Sequence, residues 1–85
     1  MLIRYSSRFI RKLKKLAPTL QEEVLTKIEL FKNPVNHRKL DVHKLHGPLA
    51  GSYGFSVAHD LRIIFDRIKP SEVLFLTIGT HDHIY

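Results

Sequence analysis

The chain has 85 residues, of which 44% are hydrophobic and 26% charged, so it reads as one soluble globular domain over residues 1–85. A chain this short buries only roughly 60–65% of its unfolded surface, and parts of its faces are expected to need a partner. It contains no cysteine, which excludes disulfides, thiolate metal sites and a thiol nucleophile.

The start, Met1-Leu2-Ile3-Arg4-Tyr5, becomes charged too soon for a secretory leader, and no apolar run approaches the roughly 18 residues a membrane span needs. A cytoplasmic setting is expected. The formal net charge is +6, and its placement is uneven. Arg4, Arg8, Arg11, Lys12, Lys14 and Lys15 form a basic block with no acid before Glu22. Such a surface attracts polyanions by counterion release, which points to nucleic acid or a nucleoprotein.

Leu2 to Tyr5 predicts a short first strand, and Ser6 or Ser7 then offers a helix N-cap. Phe9, Ile10, Leu13 and Leu16 recur at helical spacing, with the basic residues on the opposite face. Pro18 ends this helix, because the residue before a proline avoids the α region. Thr19-Leu20-Gln21-Glu22 has the form of a capping box and predicts the start of a second helix. Leu20, Val24, Leu25, Ile28 and Phe31 make its apolar stripe, and Asn33-Pro34 stops it. Val35 to Lys44 is polar and is expected to be irregular.

Beyond Lys44 the period becomes two. Tyr53, Phe55 and Val57 alternate with Gly54, Ser56 and Ala58, as a half-buried strand requires. His59-Asp60 predicts a turn, Leu61 to Ile68 a strand, Pro70-Ser71 a second turn, and Glu72 to Ile78 an apolar interior strand. The expected fold is α+β, in the order β-α-α-β-β-β. A helical hairpin packs on one face of a small, mainly antiparallel four-stranded sheet. The other face has no helix to cover it and is either polar or the working face.

Groups that move protons or hold anions gather near the ends of these strands. His43, Lys44, His46, Ser52 and Tyr53 surround Pro48, Gly51 and Gly54. Asp60 and Arg62 open the next strand, and His81, Asp82, His83 and Tyr85 follow the last. Histidine, with a reference pKa of about 6.5, suits acid–base work. Arg62 offers a planar fork of donors to a phosphate, or a cross-strand pair with Asp60 or Glu72. Asp60 suits either a base or an ordinary turn. The pairs His43/His46 and His81/His83 are not a specific zinc signature, and no metal or cofactor is expected.

The segments Lys44-Leu45-His46-Gly47-Pro48-Leu49-Ala50-Gly51-Ser52-Tyr53, Asp60-Leu61-Arg62-Ile63-Ile64-Phe65 and Ile78-Gly79-Thr80-His81-Asp82-His83-Ile84-Tyr85 together resemble the RelE/ParE toxin superfamily. The similarity is greatest to its YafQ-like and RelE/StbE branch of type II toxin–antitoxin systems, and it covers essentially the whole chain. It implies a toxin that acts as a ribosome-dependent mRNA endonuclease. In this chemistry a ribose 2′-OH attacks the adjacent phosphodiester, so no metal is required.

Carried over by position, the resemblance makes His81 the general acid, Asp60 a base or a residue that orients a histidine, and His43 or His46 a further proton-transfer group. It makes Tyr85 the terminal aromatic that stacks on a base or orients the phosphate. Arg62 then neutralises the phosphate, and Arg8, Arg11, Lys12, Lys14, Lys15 and Lys44 contact ribosomal RNA. An acidic, partly disordered antitoxin is the implied protein partner. One departure stands out: Ser56 occupies the strand position where YafQ-like members carry a histidine. The alternative on the same fold is a non-catalytic, ParE-like poison of DNA gyrase.

Overall fold

Leu2–Tyr5 forms β1, and Ser6 turns the chain directly into a helix. The Ser6 hydroxyl accepts from the Phe9 amide at 3.0 Å, which caps α1, Ser7–Lys14. The same hydroxyl donates to the Leu76 carbonyl at 2.7 Å, so the cap also anchors the helix to the sheet. The computed structural model describes residues 1–80.

The second helix, α2, spans Pro18–Phe31 and begins earlier than the capping box predicts. Its N-cap is Ala17, with no side-chain cap. Pro18 at the first turn sets the start, since its fixed φ suits that position and its missing N–H would have had no partner there. Gln21, expected inside the box, instead caps the preceding helix: its side-chain amide donates to the carbonyls of Leu16 at 2.8 Å and Lys14 at 3.3 Å. The stripe is also narrower than predicted. Val24, Ile28 and Phe31 are buried, but Leu25 is 55% exposed.

Five strands form, not four, in the spatial order β1-β5-β4-β3-β2. The added strand is β2, His43–Lys44, whose His43 pairs with Gly54. The others are β3 (Tyr53–Ala58), β4 (Leu61–Lys69) and β5 (Glu72–Thr80), and all neighbouring pairs are antiparallel except β1 with β5. The last strand is interior, as its apolar composition required. Arg4 reaches across to the buried Glu72 carboxylate and fastens β1 to it.

Both helices lie on one face, over a core built around all five phenylalanines: Phe9, Phe31, Phe55, Phe65 and Phe75 are fully buried. Phe31 of α2 stacks on Phe55 at 4.6 Å and meets Phe65 edge-on at 5.0 Å. Register shifts leave Val57 of β3 and Leu76 of β5 as extra residues opposite β4. Such bulges sharpen the local twist and re-aim the side chains beside them. With Ile63 and Phe65 in the core, alternation puts Arg62, Ile64 and Asp66 on the opposite, helix-free face.

Candidate functional site

The helix-free face is polar at one end. Ser56 and Arg62 face each other across β3 and β4, and Arg62 Nη1 donates to Ser56 Oγ at 3.0 Å. Arg62 in turn pairs with Gly79 of β5, one residue before the described chain ends. Arg62 Nε is buried with no hydrogen-bond partner among the described residues, as is Thr77 Oγ1 on β5. Buried polar atoms normally find partners, so these two are exceptions, and they lie on neighbouring strands.

The segment before β2 joins this face from the side. The Leu40 carbonyl accepts from the Ser56 amide at 2.9 Å, which lays residues 40–44 along the edge of β3. Asp41 then adopts a left-handed backbone, φ 59°, a conformation that Asp tolerates better than most residues. His43 Nδ1 lies 2.6 Å from the Asp41 carbonyl oxygen. The Asp41 carboxylate lies 3.8 Å from His43 Nδ1 and 3.8 Å from Arg62 Nη1. One residue thus stands between the imidazole and the guanidinium.

The next segment is held by Ser52, whose hydroxyl donates to Asp66 and whose carbonyl accepts from the Leu45 amide at 2.9 Å. Gly47 and Gly51, at φ 67° and 98°, allow the tight turns between them. His43, Lys44, Leu45, His46, Pro48 and Leu49 line an open cleft of about 250 Å³. Lys44 and His46 are both exposed there, and the His46 side chain makes no hydrogen bond among the described residues.

Of the residues selected from sequence, His43 and Arg62 are thus brought together, with Lys44 and His46 beside them. Asp60 is not: it is exposed at the β3–β4 turn and makes no hydrogen bond or ion pair among the described residues. His81 and Tyr85 lie outside the described residues. Asp41 was missed, and the only signal was an Asp that closes a polar loop just before a histidine. His37, another histidine of this loop, is structural: it stacks on Phe31 at 4.6 Å and bonds the Phe31 carbonyl at 2.8 Å. Among the described residues, no three His, Asp or Glu side chains group as metal ligands would.

Arg8, Arg11, Lys14 and Lys15 are exposed on or just after α1, as expected. Lys12 and Lys15 flank an open groove of about 610 Å³, with Leu16, Leu61 and Ile78 below them, where α1 passes the start of β4 and the end of β5. Basic residues in the last turn also complement the helix dipole.

Compared with protein-family models and with curated proteins, the sequence finds no match. Solved structures do match across nearly the whole chain. The RelBE2 toxin–antitoxin complex from Mycobacterium tuberculosis superposes with a TM-score of 0.73 at 19% identity, covering 94% of this chain and 90% of that one. YafQ from E. coli gives 0.72 at 17%, covering 98% and 96%. The archaeal RelE–RelB complex from Pyrococcus horikoshii gives 0.68 at 23%, covering 93% and 92%. The chain has the fold of these RelE- and YafQ-type proteins.

Proposed function

We propose that the chain is the toxin of a type II toxin–antitoxin system, and that it cuts mRNA on the ribosome by internal attack of a ribose 2′-OH. The observation that carries this reading is the pairing of His43 with Arg62 on the helix-free face, with Asp41 between them. A carbonyl oxygen can only accept, so the 2.6 Å contact from Asp41 places the proton of the neutral ring on His43 Nδ1. His43 Nε2 then carries the lone pair and serves as general base.

In this mechanism His43 Nε2 takes the 2′-OH proton as O2′ bonds to phosphorus. The bond from phosphorus to the 5′-oxygen breaks, and His81 as general acid returns a proton to that oxygen. The products are a 2′,3′-cyclic phosphate and a free 5′-hydroxyl. Arg62 stabilises the phosphorane, where a planar charged fork is worth most because it meets two oxygens at once. Tyr85 stacks on a base, and His46 and Lys44 border the RNA path. Asp60, exposed at its turn, contributes charge at the rim.

The basic face of α1 is proposed to contact ribosomal RNA. The partner that silences the toxin is proposed to be an acidic antitoxin, as two of the similar structures are toxin–antitoxin or RelE–RelB complexes. Toxin and target would meet in the cytoplasm. Primer extension on a defined mRNA after induction tests the function: discrete cuts within codons are expected, and they should vanish in His43→Ala and Arg62→Ala. Growth arrest with intact mRNA and damaged DNA would instead establish a gyrase poison.

A further inference from the structure

We infer that Asp41 is a positioning residue, whose left-handed backbone fixes His43 in the tautomer that leaves Nε2 basic. The inference rests on His43 being the base. A neutral imidazole in solution exchanges between two tautomers, and only one presents a lone pair on Nε2. Something in the protein must choose, and it must do so from the Nδ1 side. The Asp41 carbonyl is the acceptor found there, at 2.6 Å.

That carbonyl is aimed by the backbone on both sides of it. The Asp41 amide donates to the Arg38 carbonyl at 3.1 Å, and the Val42 amide donates to the His37 carbonyl at 3.0 Å. Leu40 is buried, and its carbonyl is held by the Ser56 amide. The Asp41 carbonyl shares one peptide plane with the Val42 amide, so the bond to His37 is what turns it toward residue 43, and φ 59° at Asp41 lets the chain reach that plane from Leu40. A residue that avoids this region has to give up the Leu40 or the His37 bond, and with it the aim of the carbonyl. The side chain adds a second constraint, since its carboxylate stands 3.8 Å from Arg62 Nη1 and keeps the guanidinium on the same face.

Two substitutions separate backbone from charge. Asn tolerates the left-handed region, so Asp41→Asn keeps the carbonyl in place while it removes the charge. A β-branched residue is disfavoured there, so Asp41→Val displaces the carbonyl. Nitrogen-15 NMR of the imidazole rings in the free, folded protein reads the tautomer directly, with no substrate present. The wild type and Asp41→Asn should show His43 with its proton on Nδ1. Asp41→Val should show mixed tautomers and a roughly tenfold slower single-turnover cleavage of ribosome-bound mRNA, which Asp41→Asn restores at least in part.

A wild-type His43 that carries its proton mainly on Nε2 would overturn the inference, whether or not Asp41→Val folds. So would an Asp41→Val protein with native amide dispersion and an unchanged His43 tautomer. Because the spectrum is taken without RNA, a protein that cuts no mRNA counts against the proposed function, and the tautomer still decides the role of Asp41.

Discussion

Ser56 on β3 and Arg62 on β4 face each other in register, and the hydroxyl of one holds the guanidinium of the other at 3.0 Å. The relationship explains how a serine serves at a strand position where a histidine was looked for. In the proposed mechanism it transfers no proton and aims the charge. Ser56→Ala should therefore weaken cleavage by misplacing Arg62, while the loss of one hydrogen bond lowers stability by about 1 kcal/mol. Arg62→Lys should be nearly as inactive as Arg62→Ala despite keeping the charge, because an ammonium cannot form the fork. Single-turnover cleavage rates alongside urea unfolding distinguish the two effects.

The core makes a contrast within one helix. Phe31 is fully buried among three other phenylalanine rings, and Leu25, on the same helix, is 55% exposed. Phe31→Ala should cost about 3–5 kcal/mol, a large share of the stability of any small domain. Leu25→Ala should change it by less than about 0.5 kcal/mol. Thermal or urea unfolding of the two variants checks this, and equal losses would mean that the helix packs on another face.

Gln21 links the two helices by reaching back to the carbonyls of Lys14 and Leu16. The Lys14 carbonyl is an end carbonyl with no partner within α1, and Leu16 lies in the link just beyond it. Gln21→Ala should lower stability by about 1 kcal/mol. Thr19→Ala should have almost no effect, as Thr19 caps nothing. The reverse order would restore the capping box that the sequence suggests.

These cases show why some features were legible in the sequence and others were not. The long elements announced themselves through period: Phe55 and Val57 alternate, and Val24, Ile28 and Phe31 follow helical spacing. Two residues have no period, so β2 was invisible until its partner Gly54 was placed. Leu25 was misassigned because a leucine next to a buried face looks the same as one in it. Arg62 was readable from its chemistry at a strand start. Asp41 was not, because its role comes from a backbone angle and from a β-strand that pulls Leu40 alongside Ser56. Asp60 sits in an exposed turn, the second of the two readings its residue type allowed.

The basic face of α1 predicts a salt response. Arg8, Arg11, Lys14 and Lys15 are exposed there without acidic partners among the described residues. If each meets a phosphate of ribosomal RNA, neutralising one should lower affinity for all ribosomes alike. It should also reduce the slope of log affinity against log salt by about 0.7 to 0.9. Sedimentation binding of Arg11→Ala and Lys14→Ala at several salt concentrations measures this. An unchanged slope would place the ribosome contact elsewhere.

The proposed role of His81 as general acid is tested by substitution. Thr80 pairs with Leu61, and Gly79 with Arg62, so the sheet delivers the chain to the Arg62 end immediately before His81. His81→Ala should fold normally by circular dichroism and lose little stability, because the described sheet pairings run through Thr80. It should nevertheless remove the mRNA cuts, because the 5′-oxygen would leave without a proton. His81→Ala in a His43→Ala background should add little further loss, since the base and acid act in one concerted exchange and their effects are not additive. A His81→Ala protein that still arrests growth and cuts mRNA at the wild-type rate would assign the general acid to another group.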